Sequence, residues 1–336
     1  MALLEVENLN VSIPTAAGML HAVRGVDFQL RRGRTLSLVG ESGCGKSLTV
    51  MAVMNLLPPG AQRRVARLFF DGEDIAGATE RRMADIRGHR MAMIFQEPMT
   101  SLNPCYTIGN QLMEALQRHR KVSRKQARDR AMFLLEKVGI TAAVSRLGQY
   151  PHQLSGGLRQ RVMIAMALMC SPAVIIADEP TTALDVTIQA QILSLLVSLQ
   201  QEFQTGMILI THDLGIVSRV ADDVCVMYCG QIVERASTEV IFESPLHPYT
   251  QGLLACIPIP GKTRPGQYLG SIPGMVPSPI GDLTGCIFRN RCPHATAECA
   301  QREISLRSGP EMDGHTYRCL LSPEICRSHG NGEKRA

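Results

Sequence analysis

Leu36-Ser37-Leu38-Val39-Gly40-Glu41-Ser42-Gly43-Cys44-Gly45-Lys46-Ser47 is the stretch that decides the fold. A short apolar run of buried-strand character enters a glycine-rich turn of the form G-x-x-x-x-G-K-[ST], and a helical pattern over residues 48–57 follows. A strand, a glycine turn and a helix in that order aim consecutive backbone N–H groups at one point, at the positive end of the helix, which suits a chain of phosphates. In such a loop Lys46 neutralises the outer phosphates and the Ser47 hydroxyl ligates magnesium.

Working outward, Val174-Ile175-Ile176-Ala177 reads as a second buried strand that delivers Asp178 and Glu179 at its C-terminal end. Asp178 is expected near the magnesium, and Glu179 is placed to deprotonate a water. Met207-Ile208-Leu209-Ile210 reads as a third strand, and Ile188, Ile192, Leu195, Leu196 and Leu199 recur at helical spacing as core. Ser123 and Gln126 form a capping box for a helix that ends near Gly139. Residues from about 97 to 172 contain helical patterns without a convincing strand, the texture of a helical subdomain inserted into an α/β core. Within it, Leu154-Ser155-Gly156-Gly157-Leu158-Arg159-Gln160-Arg161 precedes a helical run over residues 162–169, so a second helix start is offered to an anion. One chain rarely wraps two such sites around one phosphate; two chains facing each other can.

The 336 residues, 45% apolar and 19% charged, exclude a disordered chain, and a net charge of +5 is too weak to announce a nucleic-acid surface. No stretch approaches the ~18 apolar residues of a membrane span, and the first residues lack the basic-then-apolar pattern of a secretory signal, so a cytoplasmic chain is expected. The basic run over residues 118–130 reads as a solvated helix face, with contact to an anionic membrane surface as the lesser alternative. From about residue 256 the texture changes: Pro258, Pro260, Pro265, Pro273, Pro277 and Pro279 mark a linker or a loop-rich appendage. There are eleven cysteines, five of them at 286, 292, 299, 319 and 326. The intervals of five, six and nineteen residues between Cys286, Cys292, Cys299 and Cys319 are not the pairs of common zinc ribbons, so spacing alone leaves metal binding and reduced thiols both open. A segment with few large hydrophobes needs a cross-link or a metal to hold its shape, and an all-thiolate set suits zinc and an iron–sulfur cluster equally.

The set Gly40, Glu41, Ser42, Gly43, Cys44, Gly45, Lys46 and Ser47, then Gln96, the 154–161 stretch, Asp178, Glu179, Ala183-Leu184-Asp185 and His212 resembles, in order and spacing, the nucleotide-binding subunit of ABC transporters over roughly residues 3–255. The resemblance implies an ABC-type P-loop α/β domain over residues 1–255 with its helical subdomain, and a cysteine-containing C-terminal region over 256–336. It implies ATP and Mg2+ as ligands, and Gln96 as the residue that senses magnesium and the attacking water. Asp185 lies in the loop that links two subunits, and His212 contacts the γ-phosphate. It also implies two ATP molecules sandwiched between two chains, each phosphate loop facing Ser155-Gly156-Gly157 of the other.

Gln96-Glu97-Pro98-Met99-Thr100-Ser101-Leu102-Asn103-Pro104, Asp178-Glu179-Pro180-Thr181-Thr182 and His247-Pro248-Tyr249-Thr250 look like the dipeptide and oligopeptide importer subfamily. That likeness implies a peripheral ATPase at the cytoplasmic face of a bacterial inner membrane. Its partners would be two permease subunits, a second related ATPase and an extracytoplasmic binding protein, with no nucleic acid. Importers of nickel, glutathione and other small solutes share much of this pattern and are the alternative; a non-transport ABC ATPase acting on nucleic acid or ribosomes is the remote one. The subfamily's cysteine tail implies a [4Fe-4S] cluster on Cys286, Cys292, Cys299 and Cys319, with zinc as second choice and Cys326 spare. Three departures stand out. Cys44 replaces the usual small residue of the loop and is expected to be open to alkylation, Leu158 follows the signature glycines, and no aromatic ring for adenine stands near residues 13–15.

Overall fold

The computed structural model describes residues 2–182, 184–257, 270–281, 283–309 and 314–326; Ala183, Pro258, Pro260 and Pro265 lie outside the described residues. In chain order, the longer strands are β1 (Ala2–Thr15), β2 (Gly18–Arg31), β3 (Thr35–Val39), β4 (Met91–Ile94), β5 (Val174–Asp178), β6 (Gly206–Thr211), β7 (Asp223–Tyr228) and β8 (Gln231–Ser237). The longer helices are α1 (Lys46–Val53), α2 (Ile108–His119), α3 (Arg124–Lys137), α4 (Gly156–Leu168), α5 (Val186–Phe203) and α6 (Pro248–Ala255). The chain divides into two compact units.

One unit comprises Met1–Leu3, Leu30–Thr35 and Gly77–Ile210. Its centre is the parallel trio β4, β5 and β6, with Met91 opposite Val174 and Val174 opposite Gly206. Every residue of β5 is buried, as an unbroken branched run requires of a parallel strand covered on both faces. Helices α2, α3 and α4 pack on one another and bury Leu112, Leu116, Ala127, Ala131, Leu134 and Ile164. The Ser123 capping box opens α3, and Gly139, at φ 78°, follows its end in the left-handed conformation that terminates helices. Arg118, Arg124, Lys125 and Arg128 of the basic run are exposed as expected. Arg120 and Arg130 also bond the carbonyls of Cys170 (2.7 Å) and Leu168 (3.2 Å), just at and beyond the end of α4.

The other unit comprises Leu4–Gln29, Leu36–Ala76 and Thr211–Ala336. Strands β1 and β2 belong to an antiparallel sheet with the short strands Gln62–Arg64, Arg67–Phe70 and Glu73–Asp74; Leu4 lies opposite Phe70 and Val6 opposite Leu68. Burial along β1 follows Leu4 and Val6, then switches to Leu9 and Val11. The switch falls at Asn8, whose φ of 50° moves the alternation by one residue. Strand β3 pairs in parallel with β7, and β7 turns into β8 through Cys229 and Gly230, at φ 44° and 79°, the two left-handed residues of a tight hairpin.

The C-terminal segment adds strands to β8: Glu234 lies opposite Tyr317, and the Thr316–Tyr317 strand pairs in turn with Arg307–Ser308. Tyr228, Tyr249 and Phe288 form an aromatic cluster with ring centroids 4.7–5.3 Å apart. Glu234, fully buried, accepts from the backbone N–H of Leu246 (2.6 Å) and of His247 (2.9 Å) and pairs with His315 Nε2 at 2.9 Å. The segment thus buries Phe288, Ile304 and Tyr317, more apolar core than its composition implies. Among the described residues, no helix is long and apolar enough to cross a membrane.

Candidate functional site

Residues 40–47 connect β3 to α1. Gly45 sits at φ 100°, and a Cβ there would fall 2.4 Å from the Ala22 carbonyl oxygen, so the turn admits no side chain. Helix α1 starts at Lys46 without a side-chain cap, the condition under which a helix's first amides can serve a bound anion. Lys46 is 5% exposed, and its ammonium donates to the carbonyls of Gly40 (2.8 Å) and Glu41 (2.9 Å) and approaches Cys44 Sγ at 3.6 Å. Ser47 is half-buried in the first turn, while Ser42 and Gly43 are exposed.

The expected reactivity of Cys44 is corrected. Its side chain is 1% exposed, and burial raises its pKa despite the neighbouring Lys46. Both effects lower the supply of attackable thiolate. Two contacts to the loop were not legible in the sequence: the Glu41 N–H donates to the Tyr249 hydroxyl at 2.9 Å, and the Glu41 carboxylate is gripped by Arg291. His212 is exposed in the turn between β6 and the helix Leu214–Val220, which Asp213 caps. The unit of residues 40–47 also holds His212; the other holds Gln96, Asp178, Glu179, Asp185 and Ser155-Gly156-Gly157.

In that second group, Asp178 is 3% exposed at the end of β5. Glu179 adopts φ 43°, a left-handed backbone rare for a long side chain, and its N–H bonds the Ile210 carbonyl at 3.0 Å. Its Oε2 accepts from Gln96 Nε2 at 3.1 Å and from Thr182 Oγ1 at 2.8 Å, so two donors fix the carboxylate. Gln96 and Glu179, singled out 83 positions apart, are thereby joined. Ser155 caps α4, which begins at Gly156, earlier than the helical pattern from residue 162 implied; Ser155 and Gly156 are exposed at its start. Asp185 caps α5 through Ile188 N at 3.0 Å, a local role beside the one implied by resemblance.

The motif His247-Pro248-Tyr249-Thr250 has a structural explanation. His247 caps α6 by accepting from the Tyr249 N–H at 3.0 Å, and Pro248 takes the first helical position, where its missing donor is harmless. Burial lowers the His247 pKa to about 4, so the ring is neutral. The cap aims Tyr249 at the phosphate loop.

The tail cysteines converge. Cys286, Cys292, Cys299 and Cys319 line one small pocket, with His294 and Phe288 also in its wall. Burial raises the thiol of Cys292 to about 11 and pushes Cys286 up as well. A hydrogen bond from the neighbouring Cys326 thiol lowers the Cys319 pKa. Among the described residues, no three His, Cys, Asp or Glu side chains are arranged to hold a metal ion.

The family model described as ABC transporter matches residues 23–182, and that of the oligopeptide/dipeptide transporter C-terminal region matches residues 233–299. The chain is 49% identical to the oligopeptide transport ATP-binding protein AppD of Bacillus subtilis, over 96% of this chain and 97% of that one. It is 45% identical to the dipeptide transport ATP-binding protein DppD of Escherichia coli, over 95% and 96%. Among solved structures, it resembles the dimeric bacterial ABC transporter cassette MJ0796, with a TM-score of 0.63 and 25% identity over 70% of this chain and 98% of that one. Similarity to cbiO1 from Clostridium perfringens, part of the complex cbiONQ, gives a TM-score of 0.60 at 28% identity over 73% and 92%. The glycine loop, the strand that ends in Asp178 and Glu179 and the cysteine-bearing tail are thus explained together: this chain belongs to the ATP-binding proteins of the oligopeptide and dipeptide ABC transporter family.

Proposed function

We propose that the chain is the ATP-hydrolysing subunit that powers uptake of dipeptides or oligopeptides through a membrane ABC transporter. The observation that carries this reading is Glu179, held by Gln96 and Thr182 beside buried Asp178, in a chain whose loop 40–47 folds around Lys46. Relatives named for dipeptide and oligopeptide transport support the solute class.

In this mechanism the loop amides and Lys46 bind the β- and γ-phosphates. Magnesium, when bound, would neutralise phosphate charge, and Ser47, Asp178 and Gln96 carry oxygen donors of the kind it prefers. Glu179 takes the proton of the attacking water, with Gln96 and Thr182 fixing which oxygen faces it. His212 contacts the γ-phosphate. Ser155 and Gly156, exposed at the start of α4, and half-buried Gly157 face the phosphate loop of a second chain, with Asp185 in the linking loop. That second chain is a related ATPase, so the motor is a heterodimer on two permease subunits at the cytoplasmic face of the inner membrane, served by an extracytoplasmic binding protein. Residues 1–255 form the nucleotide-binding domain, with its helical subdomain at about 97–172, and residues 256–336 form the C-terminal region.

The four tail thiols are proposed to hold a [4Fe-4S] cluster. They line one small pocket, and an all-thiolate set suits an iron–sulfur cluster. When bound, the cluster would cross-link the segment and supply a one-electron centre. The test of the motor assignment is Glu179→Gln: ATP binding is retained and turnover falls by at least about a hundredfold. Turnover near the native rate would overturn the assignment of the base.

A further inference from the structure

Arg291 stands in the short turn Arg289–Arg291, immediately before Cys292, yet its side chain ends in the phosphate loop. The guanidinium makes two parallel bonds to Glu41, Nη1 to Oε2 at 2.7 Å and Nη2 to Oε1 at 2.9 Å. Its remaining donors reach the carbonyls of Pro273 (2.9 Å) and Ile272 (3.0 Å) and the Tyr228 hydroxyl (3.4 Å). All five N–H groups are therefore occupied, which is the full capacity of the side chain. Gly274, at φ 81°, lets the backbone cross Arg291: a Cβ there would lie 3.3 Å from Arg291 Cγ. The Arg291 side chain is 4% exposed and that of Glu41 30%, and the bonds to Glu41 hold the arginine above its ordinary pKa.

Glu41 is the only acidic residue among residues 40–47. A carboxylate in a loop that binds a polyanion is electrostatically adverse, and a buried bidentate partner is the arrangement that cancels it. We propose that Arg291 is a positioning residue for ATP binding: by pairing with Glu41 it neutralises the loop's carboxylate and fixes the loop, so that the cysteine-bearing tail is a working part of the nucleotide site. The proposal rests on the reading of residues 40–47 as that site. Because Cys292 is the next residue, whatever fixes the tail thiols also fixes the base of this arginine.

Equilibrium binding of magnesium AMP-PNP to the full-length chain tests it. Arg291→Gln leaves Glu41 uncompensated and is expected to raise Kd about tenfold, whereas Glu41→Gln removes the adverse charge and keeps the cation, so Kd falls below the native value. The double variant returns to within about threefold of native, since the two charges act on each other. A purely structural role predicts that both single variants weaken binding; that result, or no effect of Arg291→Gln, overturns the proposal. Should Arg291→Gln not fold, the sign of the Glu41→Gln change decides: tighter binding supports the proposal, and unchanged or weaker binding overturns it. Lys46→Ala separates the two levels of the argument. If it abolishes binding, failure of the charge pattern is failure of this inference alone; if it binds like the native chain, the loop is not the nucleotide site.

Discussion

Glu234→Gln is the perturbation that most directly probes how the tail is attached. The native carboxylate is 0% exposed and accepts from three donors: Leu246 N, His247 N and His315 Nε2. Glutamine preserves the shape but offers one acceptor oxygen, and its NH2 group must face at least one of those donors. At least one buried donor loses its partner, and the remaining bonds lose their charge assistance, a combined cost of about 2–4 kcal/mol. For the unit concerned this corresponds to a fall of roughly 5–10 °C in the unfolding midpoint. Thermal unfolding and amide hydrogen exchange read the result together. The Leu246 and His247 amides are expected to exchange faster in the variant, while amides of β4 and β5, in the other unit, keep their protection. Stability within about 0.5 kcal/mol of native, with unchanged exchange at those two amides, would refute the reasoning.

Other outcomes follow from single residues. N-ethylmaleimide at neutral pH should modify exposed Cys105 at least about tenfold faster than Cys44, which is buried and has a raised pKa; equal rates would contradict the burial argument. Anaerobically purified protein should be brown, with visible absorption bleached by dithionite, and Cys292→Ala should remove the colour; a colourless preparation with stoichiometric zinc would replace the cluster by the metal.

The motifs were legible because each is local. A glycine-rich turn between a strand and a helix, a strand ending in Asp178, and a capped helix at Ser123 depend on neighbours within a few residues, and the structure forms all of them. Gln96 and Glu179 were each singled out by family likeness, but the 3.1 Å bond between them was not read from the sequence. The antiparallel layer escaped notice because Asn8 interrupts the period-two pattern on which a strand reading depends. Arg291 escaped because its partner is 250 residues away, and nothing in either local sequence encodes the distance. Arg120 and Arg130 looked like solvated charge because their bonds go to backbone carbonyls of another helix end, which carry no sequence signature. Cys44 was misjudged for the same reason: position in a loop is readable, burial is not.

The central claim is that this ATPase drives peptide uptake, and the most direct test is ATP hydrolysis by the chain assembled with its permeases and a second ATPase in vesicles. Peptide-loaded binding protein is expected to stimulate hydrolysis, and Glu179→Gln to abolish it while the complex still binds ATP. Hydrolysis indifferent to peptide, or stimulated by nucleic acid instead, would contradict the account.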